Sequence, residues 1–164
     1  MDHALQKPPP FLIRQAVAAD CDGILECLRS AFEPFRSQYT SDAYLDTVLD
    51  RESLTRRLCE MVLLVAVSDT DDAIGTIACT MVDREEGHLR GMAVVSAWQG
   101  HGVAEKLLER AEFELRKSGC ERITLDTTTP LKRAVRFYER NGFRATGRVT
   151  DFFGMPLFEY AKKL

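Results

Sequence analysis

The segment Trp98-Gln99-Gly100-His101-Gly102-Val103-Ala104 sets two glycines just ahead of an amphipathic run with Ala104, Leu107, Leu108, Ala111 and Leu115 on one side. Glycines in such a turn let a backbone approach a ligand closely. The first N–H groups of the following helix have no partner inside it, so with the helix dipole the segment suits phosphate oxygens. It lacks the lysine and hydroxyl of a Walker A loop and the G-x-G-x-x-G dinucleotide pattern. The same residues also read as a plain tight turn between a strand and a helix. Two further side chains could handle protons: His88, whose imidazole titrates near neutrality, and Tyr138, whose phenol stays protonated there. By residue type alone, His88 is a histidine beside a hairpin turn and Tyr138 an aromatic neighbour of Phe137.

These residues need elements to hold them. Phe11 to Ala16 reads as a short strand, and Asp20 as the N-cap of a helix carrying Ile24, Leu28, Ala31 and Phe32 on one face. Ser41 caps a helix through Leu49, and helix resumes over Leu54 to Glu60 after a break near Ser53. Met61 to Val67, Ala73 to Val82 and His88 to Val94 form an antiparallel meander. A long helix follows from Gly102 to Lys117, stopped by Ser118-Gly119. Arg122 to Thr127 is a strand, and Thr129-Pro130 supplies the cap and first-turn proline of a helix through Arg140, closed by Asn141-Gly142. Phe143 to Asp151 and Met155 to Lys162 end the chain as a hairpin turning at Phe153-Gly154. A strand–helix–strand unit around the long helix demands a right-handed crossover. The expected class is therefore α/β (α+β): one domain over residues 11–164, with a mixed, mostly antiparallel sheet flanked by helices.

Composition narrows the partners. The 164 residues are 45% hydrophobic, enough for a real core, and 22 Lys+Arg against 25 Asp+Glu give a net charge of −3, so a nucleic-acid partner is not expected. The longest apolar run, Met61 to Val67, is far below the roughly 20 residues a membrane helix needs, so no membrane association is expected. MDHALQKPPPF carries no basic flank followed by an apolar stretch. It reads as an unstructured lead-in over residues 1–10, with a cytoplasmic location. Cys21, Cys27, Cys59, Cys79 and Cys120 are odd in number and show no zinc or redox spacing. They are expected as reduced, mostly buried thiols, and with His3, His88 and His101 scattered, no metal is expected.

Gln99-x-x-Gly102-x-Ala104, after a strand ending Met92-Ala93-Val94, resembles the Q/R-x-x-G-x-G/A signature of the GNAT superfamily of acetyl-CoA-dependent N-acetyltransferases. Ala134-Val135-Arg136-Phe137-Tyr138-Glu139-Arg140-Asn141-Gly142-Phe143 is similar to that family's A-x-x-F-Y-x-x-x-G-F segment. The hairpin around Phe153-Gly154-Met155-Pro156-Leu157, with Glu159-Tyr160, also resembles the family's last one. The resemblance runs from about Met61 to Leu164 and implies a splayed strand pair in the sheet. It also implies that backbone groups of Met92, Ala93 and Val94 pair with a pantetheine arm. Amides of Gln99, Gly100, His101, Gly102, Val103 and Ala104 would then hold the pyrophosphate of acetyl-CoA.

The resemblance further implies that Tyr138 is the acid beside the departing thiolate. A base must free the attacking amine of its proton. His88 is the first candidate, because it shares side-chain parity with Met92 and Val94 and falls where many members carry a glutamate; Glu86, Glu85 or a water are the alternatives. No cysteine lies in either signature, so direct attack in a ternary complex is expected. Many members have an asparagine where this chain has Leu131, leaving its role to Thr127 or Thr128, and His101 stands where relatives are often basic. The acceptor site implied by the fold comprises Phe32, Phe35, Arg36 and Tyr39 with the stretch Phe152 to Met155. It would take a primary amine of a small molecule or peptide. Two other readings remain open: a non-catalytic acyl-CoA-binding module, and transfer of a longer acyl group. A homodimer through the edge of the last strands is compatible with either.

Overall fold

The computed structural model describes residue 7 and residues 9–164; the lead-in expected over residues 1–10, and His3, fall mainly or wholly outside this range. Seven strands make one sheet. They are β1 (Phe11–Gln15), β2 (Val62–Ser68), β3 (Ala73–Met81), β4 (Glu86–Val94), β5 (Arg122–Thr127), β6 (Arg144–Phe152) and β7 (Met155–Lys163), in the order β1-β2-β3-β4-β5-β7-β6. Every pairing is antiparallel except β4 with β5, which the crossover helix α4 (Val103–Lys117) connects. The remaining helices are α1 (Cys21–Phe32), α2 (Ser41–Val48), α3 (Arg51–Glu60) and α5 (Lys132–Arg140).

The apolar faces of these helices make two cores, one on each side of the sheet. Leu64, Ile77, Leu89, Ile123 and Leu125 meet Leu107, Leu108 and Ala111 of α4 and Phe137 and Tyr138 of α5. On the opposite side Leu63, Val65, Ala78 and Ala93 meet Ile24 and Leu28 of α1 and Leu54 of α3.

Element order follows the sequence reading, while several ends are set by different side chains. The Asp20 carboxylate accepts from the Arg14 guanidinium at 2.7 and 2.8 Å and from the Val17 amide, so it closes a 3₁₀ turn and does not cap α1. Thr40, not Ser41, caps α2 by accepting from the Ala43 amide. Asp50 caps α3 through the Ser53 amide, which places Ser53 inside that helix; the break falls at Leu49, with φ +63°. Helix α5 starts at Lys132 without a side-chain cap, leaving Pro130 in the preceding turn.

Two irregularities of β4 create the space for a site. The β4–β5 ladder runs from Glu86↔Arg122 to Leu89↔Leu125 and stops, so beyond Leu89 the strands diverge as a wedge. Within β4, Ala78 of β3 pairs with Arg90 and Thr76 with Ala93, so Gly91 and Met92 together oppose Ile77 as a bulge, with Gly91 at φ +60°. The bulge reverses the alternation. Leu89, Met92 and Val94 face the α4 side, whereas His88 joins Thr124 on the side of Ala93 and α1. The expected shared parity of His88 with Met92 and Val94 is therefore incorrect, because the inserted residue lies between them.

Candidate active site

A cleft of about 780 Å³ passes through the wedge and is lined on one side by the β4–α4 turn and α5, and on the other by His88, Arg90 and Asp126 with the α1–α2 connection. At the turn, Gly100 and Gly102 have φ of +81° and +84° and no neighbour near a notional Cβ, so backbone conformation alone asks for glycine. The first bond of α4 runs from the Lys106 amide to the Gly102 carbonyl, which leaves the amides of Val103, Ala104 and Glu105 without a helical acceptor. Gln99, Gly100, Val103 and Ala104 line the cleft; His101 and Gly102 do not, and the His101 ring packs edge-on to Trp98. The Gln99 amide nitrogen donates to the Val94 carbonyl at 3.1 Å while its oxygen accepts from Arg133 at 2.8 Å. That side chain thus ties the end of β4 to α5.

One cationic row was missed in the sequence reading. Lys132, Arg133, Arg136 and Arg140 of α5 line the cleft beside the turn, at the three-to-four-residue spacing of one helix face, so the pattern was available in the sequence. Together with the open amides of α4 they make this end of the cleft suited to anionic phosphates.

Tyr138 lies where the turn side meets the wedge. It is 8% exposed, wedged edge-on between Phe137 and Phe143, and its hydroxyl donates to Met92 Sδ at 3.4 Å. Burial pushes its phenol well above the ordinary tyrosine range, so it holds its proton throughout neutral pH. Thr127, buried and lining the cleft at the end of β5, is the one buried side-chain N or O among the described residues with no hydrogen-bond partner. Thr128 is engaged with the Pro156 carbonyl at 2.9 Å.

Across the wedge, the Nδ1 of His88 lies 2.7 Å from Thr124 Oγ1, and its Nε2 is 3.5 Å from Asp126 Oδ2. Burial lowers the imidazole pKa; the Asp126 charge opposes this and Arg90 adds to it, so the ring is neutral and basic at pH 7. Burial raises the Asp126 carboxyl, against the pull of His88. Asp126 was not singled out in the sequence, although its two-residue spacing from Thr124 on β5 puts both on one face. Glu86 and Glu85 are absent from the cleft wall, and Glu86 is held by Arg122 at 2.5 Å.

Phe32, Phe35 and Tyr39 line the far end, and Thr40 Oγ1 donates to the Phe153 carbonyl at 2.8 Å, closing the α1–α2 connection onto the β6–β7 turn. Arg36 is not in the wall: 66% exposed, it sits near Glu33 and over the Tyr44 ring. The arginines that do face this part of the cleft are Arg57 of α3 and Arg90 of β4. Among the described residues no group of three His, Cys, Asp or Glu is arranged to hold a metal ion, and no helix is long and apolar enough to cross a membrane.

A parallel strand pair that splays over a through-cleft, with an amide-rich turn at one end, defines the fold class of CoA-dependent acyltransferases that the two signatures resemble. Residues 22–143 match the family model described as "Acetyltransferase (GNAT) family", and the chain belongs to that family. It is 33% identical over 90 residues to N-alpha-acetyltransferase MAK3 of Arabidopsis thaliana, covering 52% of this chain and 47% of the relative. To N-alpha-acetyltransferase 30 of Saccharomyces cerevisiae it is 34% identical over 84 residues, 49% of this chain and 48% of that one. The matched stretch thus spans about half the length of these relatives. Among solved structures, the PaiA N-acetyltransferase of Thermoplasma acidophilum in complex with coenzyme A superposes with a TM-score of 0.79 at 20% identity, covering 94% of this chain and 99% of that one, a likeness of fold.

Proposed function

We propose that this chain is an N-acetyltransferase that moves the acetyl group of acetyl-CoA to a primary amine, by direct attack in a ternary complex. The single observation that carries this reading is the through-cleft itself. One cleft joins the open α4 amides and the α5 cations to Tyr138 at the wedge and to His88 beyond it. The pyrophosphate lies at the amides of the Gln99–Ala104 turn, with Arg133 and Arg136 nearby, and the pantetheine amides extend the edge of β4 at Met92 and Ala93 that β5 has left. Thr127 offers its free hydroxyl to the same arm, the part that an asparagine at the Leu131 position would otherwise supply.

The amine reaches the thioester from the His88 side. Neutral His88, turned by Thr124 and Asp126, takes the proton directly or through a water, and the Tyr138 hydroxyl turns its one proton from Met92 Sδ to the departing sulfur. Because burial makes the phenol a weak acid, Tyr138 stabilises the thiolate by hydrogen bonding more than by complete transfer. The names of the plant and yeast relatives favour an α-amine at the start of a peptide as acceptor. The test is a calorimetric titration with acetyl-CoA, CoA and ATP, followed by release of CoA with an N-terminal peptide panel. Selective binding of the two CoA species with amine-dependent release of CoA is the expected result. No binding up to millimolar concentrations, weaker than about −4 kcal/mol, overturns the reading.

A further inference from the structure

Arg57 lines the cleft on the acceptor side and has nothing to hold, unlike several arginines elsewhere in the molecule. Arg14, Arg51, Arg110 and Arg122 each meet a carboxylate, and Arg133 meets Gln99. Among the described residues the Arg57 guanidinium makes no hydrogen bond and no ion pair, although it is half-buried. Its Nη1 lies 2.5 Å from where a Cβ on Gly91 would stand, so it rests against the β4 bulge, on the wall of the cleft. Arg90, the adjacent strand residue on the His88 side of the bulge, also lines the cleft without an ionic partner. Asp46 of α2 faces the same space and exerts a pull on Arg57 from beyond ion-pair distance. Asp126 on the same side acts on Arg90 in the same way, so among the described residues neither guanidinium has a carboxylate within ion-pair distance, one residue from the point where the strands part.

A half-desolvated guanidinium gains most from a planar anion that enters with the ligand, because water serves it poorly and a carboxylate matches its fork. We infer that Arg57 and Arg90 form a carboxylate-binding subsite of the acceptor groove, selecting an amine that carries a carboxylate within a few bonds of the attacked nitrogen. Burial and the neighbouring Arg90 lower Arg57 to about 10, which still leaves it charged at neutral pH. This inference rests on the acceptor entering from the His88 side, as in the reading above. The carboxylate has two sources, an acidic first residue of a peptide or the α-carboxylate of a free amino acid.

Two matched pairs of acceptors separate them: a glutamate-first tripeptide amide against its glutamine-first twin, and free alanine against alaninamide. In the full-length chain the carboxylate member of one pair should have kcat/KM roughly tenfold or more above its amide. Which pair shows this names the source. Arg57→Met and Arg90→Gln should erase most of the difference through KM, and Arg57→Lys should restore part of it. Arg57→Met should not lower the melting temperature, since it removes an unpaired, half-buried charge. Equal kcat/KM within both pairs, or a preference that survives both substitutions, overturns the subsite. If no acceptor is turned over, the transferase reading falls but the subsite is still decided by titrating the same pairs into the CoA-saturated protein. Tighter binding of a carboxylate member, lost in Arg57→Met, supports it, and equal or absent binding overturns it.

Discussion

Tyr138 and His88 sit on opposite sides of one opening, and their surroundings push both toward the neutral form. A buried phenol that meets only Met92 sulfur loses little when its oxygen is removed, so Tyr138→Phe should change stability by less than about 1 kcal/mol. Its effect belongs to turnover: kcat should fall roughly 10- to 100-fold with acetyl-CoA affinity nearly unchanged, read by steady-state rates beside calorimetry. Equal turnover across the pH range removes Tyr138 from the leaving-group role. His88 predicts the acid limb of the same profile. Its pKa is lowered mainly by burial, so activity should be retained below the ordinary histidine range near 6.5 and decline only as falling pH protonates the ring. Asp126 opposes that lowering. Asp126→Asn should therefore move the limb to still lower pH, and a limb that stays put belongs to another group. These two carriers were legible in different ways. Tyr138 stood in a signature, whereas the partner that tunes His88 lay 38 positions away and became visible only when β4 and β5 paired.

At the scale of elements, β4 is both the best-read and the worst-read strand. Its composition and turns announced it, but nothing in Leu89-Arg90-Gly91-Met92 distinguishes an inserted residue from a regular one, so the side-chain alternation was carried through a bulge that reverses it. Gly91 is the physical reason the bulge is stable: φ is +60° and the space over its Cα is filled by Arg57. Gly91→Ala should destabilise the fold by roughly 1–3 kcal/mol, measured by denaturant titration, with a second loss in acceptor KM as Arg57 is displaced. Helix caps failed for a related reason. Thr40 beside Ser41, and Asp50 near Ser53, are chemically equivalent choices whose ranking depends on where the chain arrives from. The α5 row Lys132, Arg133, Arg136 and Arg140 needed only its spacing to be found; the turn drew the phosphate reading to itself.

For the whole molecule, the order of strands was open to sequence reasoning only in part. Meander, crossover helix and final hairpin follow from local signals, whereas the insertion of β7 between β5 and β6 is settled by long-range pairing such as Asp126↔Glu159. The far end of the cleft is likewise a product of distance along the chain: one wall comes from Phe32, Phe35 and Tyr39 and another from Phe152 and Leu157, joined by Thr40 and the Phe153 carbonyl. Of the expected Phe152 to Met155 stretch, only Phe152 is in the wall. Thr40→Val should leave acetyl-CoA binding intact and raise acceptor KM several-fold, since it unties the walls and keeps the volume, within the usual reach of one exposed hydrogen bond. That bond spans 113 positions. It is a single exposed bond between two loops, whereas the strands beneath are held by continuous ladders, so losing it opens the mouth of the groove without unpairing the sheet. The two ends of the cleft are thus fastened differently: one by a lone bond between loops, the other by Gln99, which ties the end of β4 to α5.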